Sequence, residues 1–187
     1  MKIKNLFCVS ALAILLMAAG ADARKATLAP VKAAAIVSPS DARDNRVLLF
    51  FELPVDVLDS KATVDFATLH CKAQMMGAEM GQIDVFPVTA EWKDEETLSW
   101  SDHWKEPGGD YDADFLTNNY SLKSEFGEKE IAINVTEIVQ RWQSGELANN
   151  GMMLKLSPDD LETFSDLKCE LDQEKVLLRV FYSYEYK

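Results

Sequence analysis

The chain has 187 residues and carries 31 acidic against 19 basic side chains, a formal charge of -12. With 48% hydrophobic and 27% charged residues it has the composition of a globular domain, not of a disordered or fibrous chain. The acidic excess argues against a nucleic-acid surface, which needs clustered Lys and Arg, and against docking on anionic lipid.

Lys2 and Lys4 precede an apolar run over residues 6–19, and Ala21-Asp22-Ala23 then offers an A-x-A cleavage site. That is the pattern of a secretory signal peptide over residues 1–23, its apolar run short for a bilayer span. The expectation is a secreted protein, extracellular or at the cell surface, with no membrane span after cleavage. Cleavage removes Cys8 and leaves Cys71 and Cys169. In an oxidising compartment this even pair is a disulfide candidate, the alternative being two separate buried thiols. A bridge would close a long loop, worth ~4 kcal/mol in the chain-entropy model. Lys2, Lys4 and Asp22 leave with the leader, so the formal charge becomes one unit more negative.

Residues 24–45, rich in Ala, Lys and Ser with Pro30 and Pro39, read as an extended tail or linker with one strand at 33–37. From Arg46 the texture changes to short runs of Val, Ile, Phe, Thr and Leu between Gly, Pro, Asn and Asp, so 46–187 reads as one domain. Strands are expected at 46–53, 62–71, 82–88, 98–100, 130–133, 152–156 and 176–186. Within 62–71, alternation puts Val64, Phe66, Thr68 and His70 on one face and Ala67 and Leu69 on the other. Many short strands without alternating helices predict an all-β antiparallel sandwich. One amphipathic helix is expected at about 135–144. Asn134 stands as N-cap with Glu137 three residues on, Val135, Ile138, Val139 and Trp142 make one apolar face, and Gly145 is the left-handed stop.

Neither histidine sits in a catalytic or metal motif: His70 is mid-strand and His103 lies in the loop Trp100-Ser101-Asp102-His103-Trp104. No nucleophile elbow is present, so nucleophilic and zinc hydrolases are disfavoured. Acid/base carboxylate pairs stay open only because the chain holds 31 acidic residues. Asp110-Tyr111-Asp112-Ala113-Asp114 sets three carboxylates on alternate residues, hard oxygen donors that would suit calcium. The full helix-loop-helix calcium signature is missing, so a solvated acidic loop is the preferred reading of Asp110, Asp112 and Asp114. No cofactor is required. Aromatics gather in the same stretch: Trp92, Trp100, Trp104, Tyr111, Phe115 and Tyr120. Trp92 and Trp100 read as strand core. Trp104, Tyr111 and Tyr120, set among turn residues with His103 beside them, are the candidate ligand-binding residues, since sugars stack on exposed aromatic faces. Asn119-Tyr120-Ser121 and Asn134-Val135-Thr136 are sequons, the second already explained by the helix cap.

Several segments resemble a known pattern in order. Arg46-Val47-Leu48-Leu49-Phe50-Phe51-Glu52-Leu53 is similar to an R-x-L-L-R-F-D-L strand, and residues 62–69 to the I-x-x-A-x-L-x-L strand that follows it. Phe86-Pro87-Val88-Thr89 with Trp92, Glu95 and Leu98-Ser99-Trp100 resembles V-x-x-V-T-x-x-W-x-E-x-T-V-T-W. Residues 133–142 resemble F-D-V-T-x-x-V-Q-x-W, with Asn134 in place of the usual Asp. Gly145 with Asn149-Asn150-Gly151-Met152-Met153-Leu154 resembles G-x-x-N-x-G-L-x-L, and residues 179–184 resemble a closing L-x-V-x-Y strand. Together they resemble the DNRLRE-type secreted domain, akin to carbohydrate-binding module family 96 and disaggregatase-related modules. The resemblance implies a jelly-roll β-sandwich, extracellular and non-catalytic, with a polysaccharide as partner. Some relatives bind acidic polysaccharides, but this charge would repel a polyanion, so a neutral glycan is favoured. The rival expectation is a matrix, surface-layer or filament subunit that self-assembles through residues 24–45.

Overall fold

The computed structural model describes residues 22–40, 46–75, 81–101, 104–115, 120–122, 127–156, 169–171 and 176–184. The fold is all-β: eleven strands among the described residues, in two sheets, with two helices. In chain order these are β1 (Asp22–Leu28), β2 (Lys32–Ile36), β3 (Arg46–Phe50), α1 (Val55–Leu58), β4 (Ala62–Met75), β5 (Gly81–Pro87), β6 (Thr97–Leu98), β7 (Tyr120–Leu122), β8 (Gly127–Asn134), α2 (Thr136–Ser144), β9 (Met152–Leu156), β10 (Cys169–Leu171) and β11 (Leu177–Tyr184). Among the described residues no helix is long and apolar enough to cross a membrane.

Sheet A runs β1-β11-β4-β10, with β8 also on β4; sheet B runs β6-β2-β3-β9-β5-β7. Among the described residues every pairing is antiparallel except the short β2–β6 contact, which is parallel and departs from the purely antiparallel expectation. One apolar core lies between the sheets. Sheet A contributes Val64, Ala67, Leu69, Leu178 and Val180, sheet B contributes Leu49, Ile83, Val85, Met152 and Leu154, and Phe51 and Trp142 fill the remainder. Burying that apolar surface stabilises the fold by about 25 cal/mol per Å².

Sheet B is also buried on its other side. Ala34, Ile36, Leu48, Val88, Leu98 and Met153 form a second cluster, covered by Trp92, Trp100, Trp104 and Tyr111. This two-sided burial is why β3 and β9 read as continuous apolar runs, Val47-Leu48-Leu49-Phe50 and Met152-Met153-Leu154, instead of alternating.

Several expectations are revised. Residues 22–28 are not a tail: β1 pairs along its length with β11, from Asp22 opposite Tyr184 to Leu28 opposite Leu178, whereas the strand expected at 33–37 is present as β2 and pairs with β3. In β4 the strict alternation fails, because the register with β11 shifts between Phe181 and Tyr182. Val64 points into the core, Asp65 and Phe66 are both exposed, and Ala67 is buried again. One extra residue in a strand does this.

The expected helix is present, with Ile138, Val139 and Trp142 buried and Gly145 in the left-handed conformation (φ 75°). Its start differs. Val135 takes the N-cap position, and Asn134 Oδ1 accepts from the Thr136 N–H (3.0 Å) and hydroxyl (2.6 Å). The polar side of α2 seals the edge of β4 where β8 stops. Thr136 Oγ1 accepts from the Ala67 N–H (2.9 Å), Gln140 Nε2 donates to Val64 O (2.8 Å), and Gln143 Nε2 donates to Val57 O and Ala62 O (2.8 Å each). Side chains at i, i+4 and i+7 thus replace a missing neighbour strand.

The Cys71–Cys169 bridge is not formed. Register places Cys169 opposite Met75, four residues along β4 from Cys71, and at about 3.3 Å per residue that is roughly 13 Å. A disulfide needs Cα atoms about 4.4–6.8 Å apart. Cys71 is buried in the inter-sheet core.

Candidate functional site

After β5 the chain leaves sheet B, folds back over its outer face and returns. The neck is closed by the Val88–Tyr111 bridge, the Thr89 N–H to Asp110 O bond (2.9 Å) and the Asp112 N–H to Pro87 O bond (3.1 Å). Within the loop, β6 docks on β2 and the Ala35 N–H donates to Glu96 O (2.9 Å).

Aromatic rings and cations pin the loop down. Arg46 of β3, buried, lies 4.6 Å from the Trp100 ring and 5.4 Å from the Tyr111 ring, and its Nη1 donates to Gly108 O (2.6 Å). Tyr111 packs on Phe86 with centroids 5.0 Å apart, and Lys155 Nζ donates to its hydroxyl (2.9 Å). Desolvated cations over ring faces are worth up to about 2 kcal/mol each. Gly109, at φ 103°, lets the backbone press onto the sheet: a Cβ there would lie 2.6 Å from Met153 Cε.

Two hollows of about 360 and 320 Å³ open on this loop and share Glu91 and Trp92. The first is completed by Lys93, Glu95, Leu98, Ser99 and Trp104, the second by Lys32, Phe50, Asn149 and Asn150. Trp92, read from the sequence as strand core, is instead half-buried in the lining of both. Its Nε1 donates to Asn150 O (2.7 Å), and Lys32 Nζ stands 5.8 Å from its ring. Trp104 Nε1 donates to Ser99 O (3.0 Å), fixing the ring that lines the first hollow. The Asn149 amide is held at both ends, donating to Phe51 O (2.8 Å) and accepting from the Gly151 N–H (3.3 Å). Indole rings and amides held this way pay little ordering entropy when a ligand arrives.

The other expected site residues are placed as follows. Tyr111 is consumed in packing with Phe86, Arg46 and Lys155. Phe115 is buried beneath Arg141, 4.9 Å from its guanidinium. His103 and the side chain of Tyr120 lie outside the described residues, as does Asn119. The three aspartates do not converge. The buried Asp110 carboxylate accepts from the Lys105 N–H (2.9 and 3.1 Å) and the Glu106 N–H (3.1 Å). Asp112 accepts from the Asp114 N–H (3.1 Å), and Asp114 is exposed. Among the described residues no three His, Cys, Asp or Glu side chains group to hold a metal ion.

His70 lies on the outer face of sheet A, with Thr68 Oγ1 at 3.0 Å from Nε2 and Glu130 at 3.9 Å from Nδ1. Burial lowers its pKa, and Arg179 and Lys25 lower it further against the opposing pull of Glu130. The residues missed by the sequence reading, Lys32, Phe50, Glu91, Asn149 and Asn150, come from four separate segments, and no local period links them. No family model matches the chain, and no curated protein matches it significantly.

Proposed function

We propose that this chain is a secreted, non-catalytic β-sandwich module of jelly-roll type that binds a neutral polysaccharide in the cleft about Trp92. The observation that carries this reading is the pair of hollows that share one fixed indole in their lining. An indole face stacks on the apolar face of a sugar ring, and amides and carboxylates around it hold hydroxyls. Two adjoining compartments suit consecutive units of a chain polymer. The lining carries Glu91 and Glu95 against Lys32 and Lys93, so it has no net charge to attract a polyanion, and the chain as a whole is at -12 before removal of the leader makes it one unit more negative. The DNRLRE-type resemblance supports a polysaccharide-binding module, and the charge turns the preference from acidic to neutral polymers.

The test is a panel of neutral and uronate polysaccharides, run with calcium and with chelator and read for both binding and cleavage. Binding to neutral polymers, weakened at least tenfold by Trp92→Ala and by Trp104→Ala and indifferent to chelator, is the expected result. Preference for uronates, release of product, or full binding by the Trp92→Ala/Trp104→Ala double variant would overturn it.

A further inference from the structure

The two sheets differ on their outer faces. Sheet B is covered by its own aromatic loop, whereas sheet A has no counterpart among the described residues. The shifted register in β4 turns Phe66 outward opposite Phe181, and the rings lie side by side with centroids 6.4 Å apart. They remain 43% and 38% exposed. Lys25 of β1 extends the row, its Nζ 5.5 Å from the Phe181 ring. Beside this aromatic centre stand Arg179, two residues from Phe181, and Asp65, which accepts from Ser183 Oγ (3.2 Å); Lys72 and Glu130 lie opposite each other on the same sheet, about 20 Å farther along β4.

We propose that this face is where two copies of the chain pack, sheet against sheet, with Phe66 and Phe181 at the centre. Exposed aromatic pairs on a rigid strand surface are what protein interfaces bury at their cores. The charge pattern selects the occupant. Two molecules at -12 repel each other over most of their surfaces, so they can meet only where charge is locally balanced. The outer face of sheet A, with Lys25, Lys72 and Arg179 against Asp65 and Glu130 spread along its length, is such a place, and a face bearing both signs can complement itself under a two-fold rotation. The polysaccharide cleft lies on the other sheet, so this pairing is independent of the glycan reading.

Sedimentation of the full chain over a wide concentration range tests it. The wild type is expected to form a dimer, and Phe66→Ser/Phe181→Ser to weaken it at least tenfold, while Val55→Ser, at an apolar residue 83% exposed elsewhere, leaves it unchanged. Making the face single-signed distinguishes a second copy from a charged foreign partner. Lys25→Glu/Arg179→Glu and Asp65→Lys/Glu130→Lys should both weaken self-association, since like meets like in each. Melting curves on every variant separate loss of pairing from loss of fold. A wild type that stays monomeric at millimolar concentration, a dimer that survives Phe66→Ser/Phe181→Ser in folded protein, or polysaccharide binding lost in that variant would overturn the proposal.

Discussion

Single residues in the loop over sheet B carry consequences larger than their size. Gly109 combines positive φ with a backbone resting on Met153, so Gly109→Ala adds both backbone strain and overlap. It should lower unfolding free energy by about 1–3 kcal/mol in denaturant titration, with weaker polysaccharide binding if Trp104 shifts with the loop. The adjacent Pro107-Gly108-Gly109 is visible in the sequence as a turn, but the sheet beneath it is not. His70 gives a pH effect with a fixed sign. Its folded pKa lies below the ordinary value, so the unfolded chain binds the proton more readily. The contribution is complete above the unfolded pKa and is lost as pH falls through the window from about 6.5 down to the folded value. His70→Gln should therefore show a shallower loss of stability than wild type on acidification from pH 7 to 5, measured by chemical denaturation. Equal slopes would contradict the assignment.

At the level of elements, α2 was the most legible feature and β1 the least. The helix announces itself through Ile138, Val139 and Trp142 at helical spacing and Gly145 at its end, because everything that fixes it lies within ten residues. Its second role, sealing β4 with Thr136, Gln140 and Gln143, has no local signature, since polar residues on that side read as solvated. Two substitutions separate the roles. Trp142→Ala should cost about 3–5 kcal/mol through the cavity it leaves. Gln143→Leu keeps the volume but strips donors from Val57 O and Ala62 O, and should cost about 1–3 kcal/mol. Both are read by urea titration, and a neutral Gln143→Leu would mean water replaces the amide at that edge. β1 was hidden for the converse reason. Ala26 and Leu28 reach the core only partly, so the strand has almost no hydrophobic alternation and is held by the open edge of β11, a partner at the far end of the chain.

Across the whole molecule, the all-β class followed from the spacing of strands and turns, and the two sheets agree with it. The layering did not follow. A strand buried on one face alternates and a strand buried on both does not, so the unbroken runs at 47–50 and 152–154 held the information that sheet B has something on each side. The covering loop itself carries few aliphatic residues and anchors through Trp92, Trp100, Trp104 and Tyr111, which in one dimension look the same whether they hold a loop down or await a ligand. In three dimensions they divide: Trp100 and Tyr111 clasp Arg46, and Trp92 and Trp104 edge the hollows. The cysteines show the limit of counting, because parity says nothing about register.

The pairing of β1 with β11 also sets an order on folding. Asp22 lies opposite Tyr184, and β11 is the central strand between β1 and β4. Until β11 is available, β1 has no partner in sheet A and β4 lacks one of its neighbours, so the sheet can only be completed by some of the most distant contacts in the chain. Such long closures make folding slow compared with a chain of local contacts. Nascent chains lacking residues 177–184 should remain protease-sensitive along β1 and β4, and protection should appear in a single step once that strand is released.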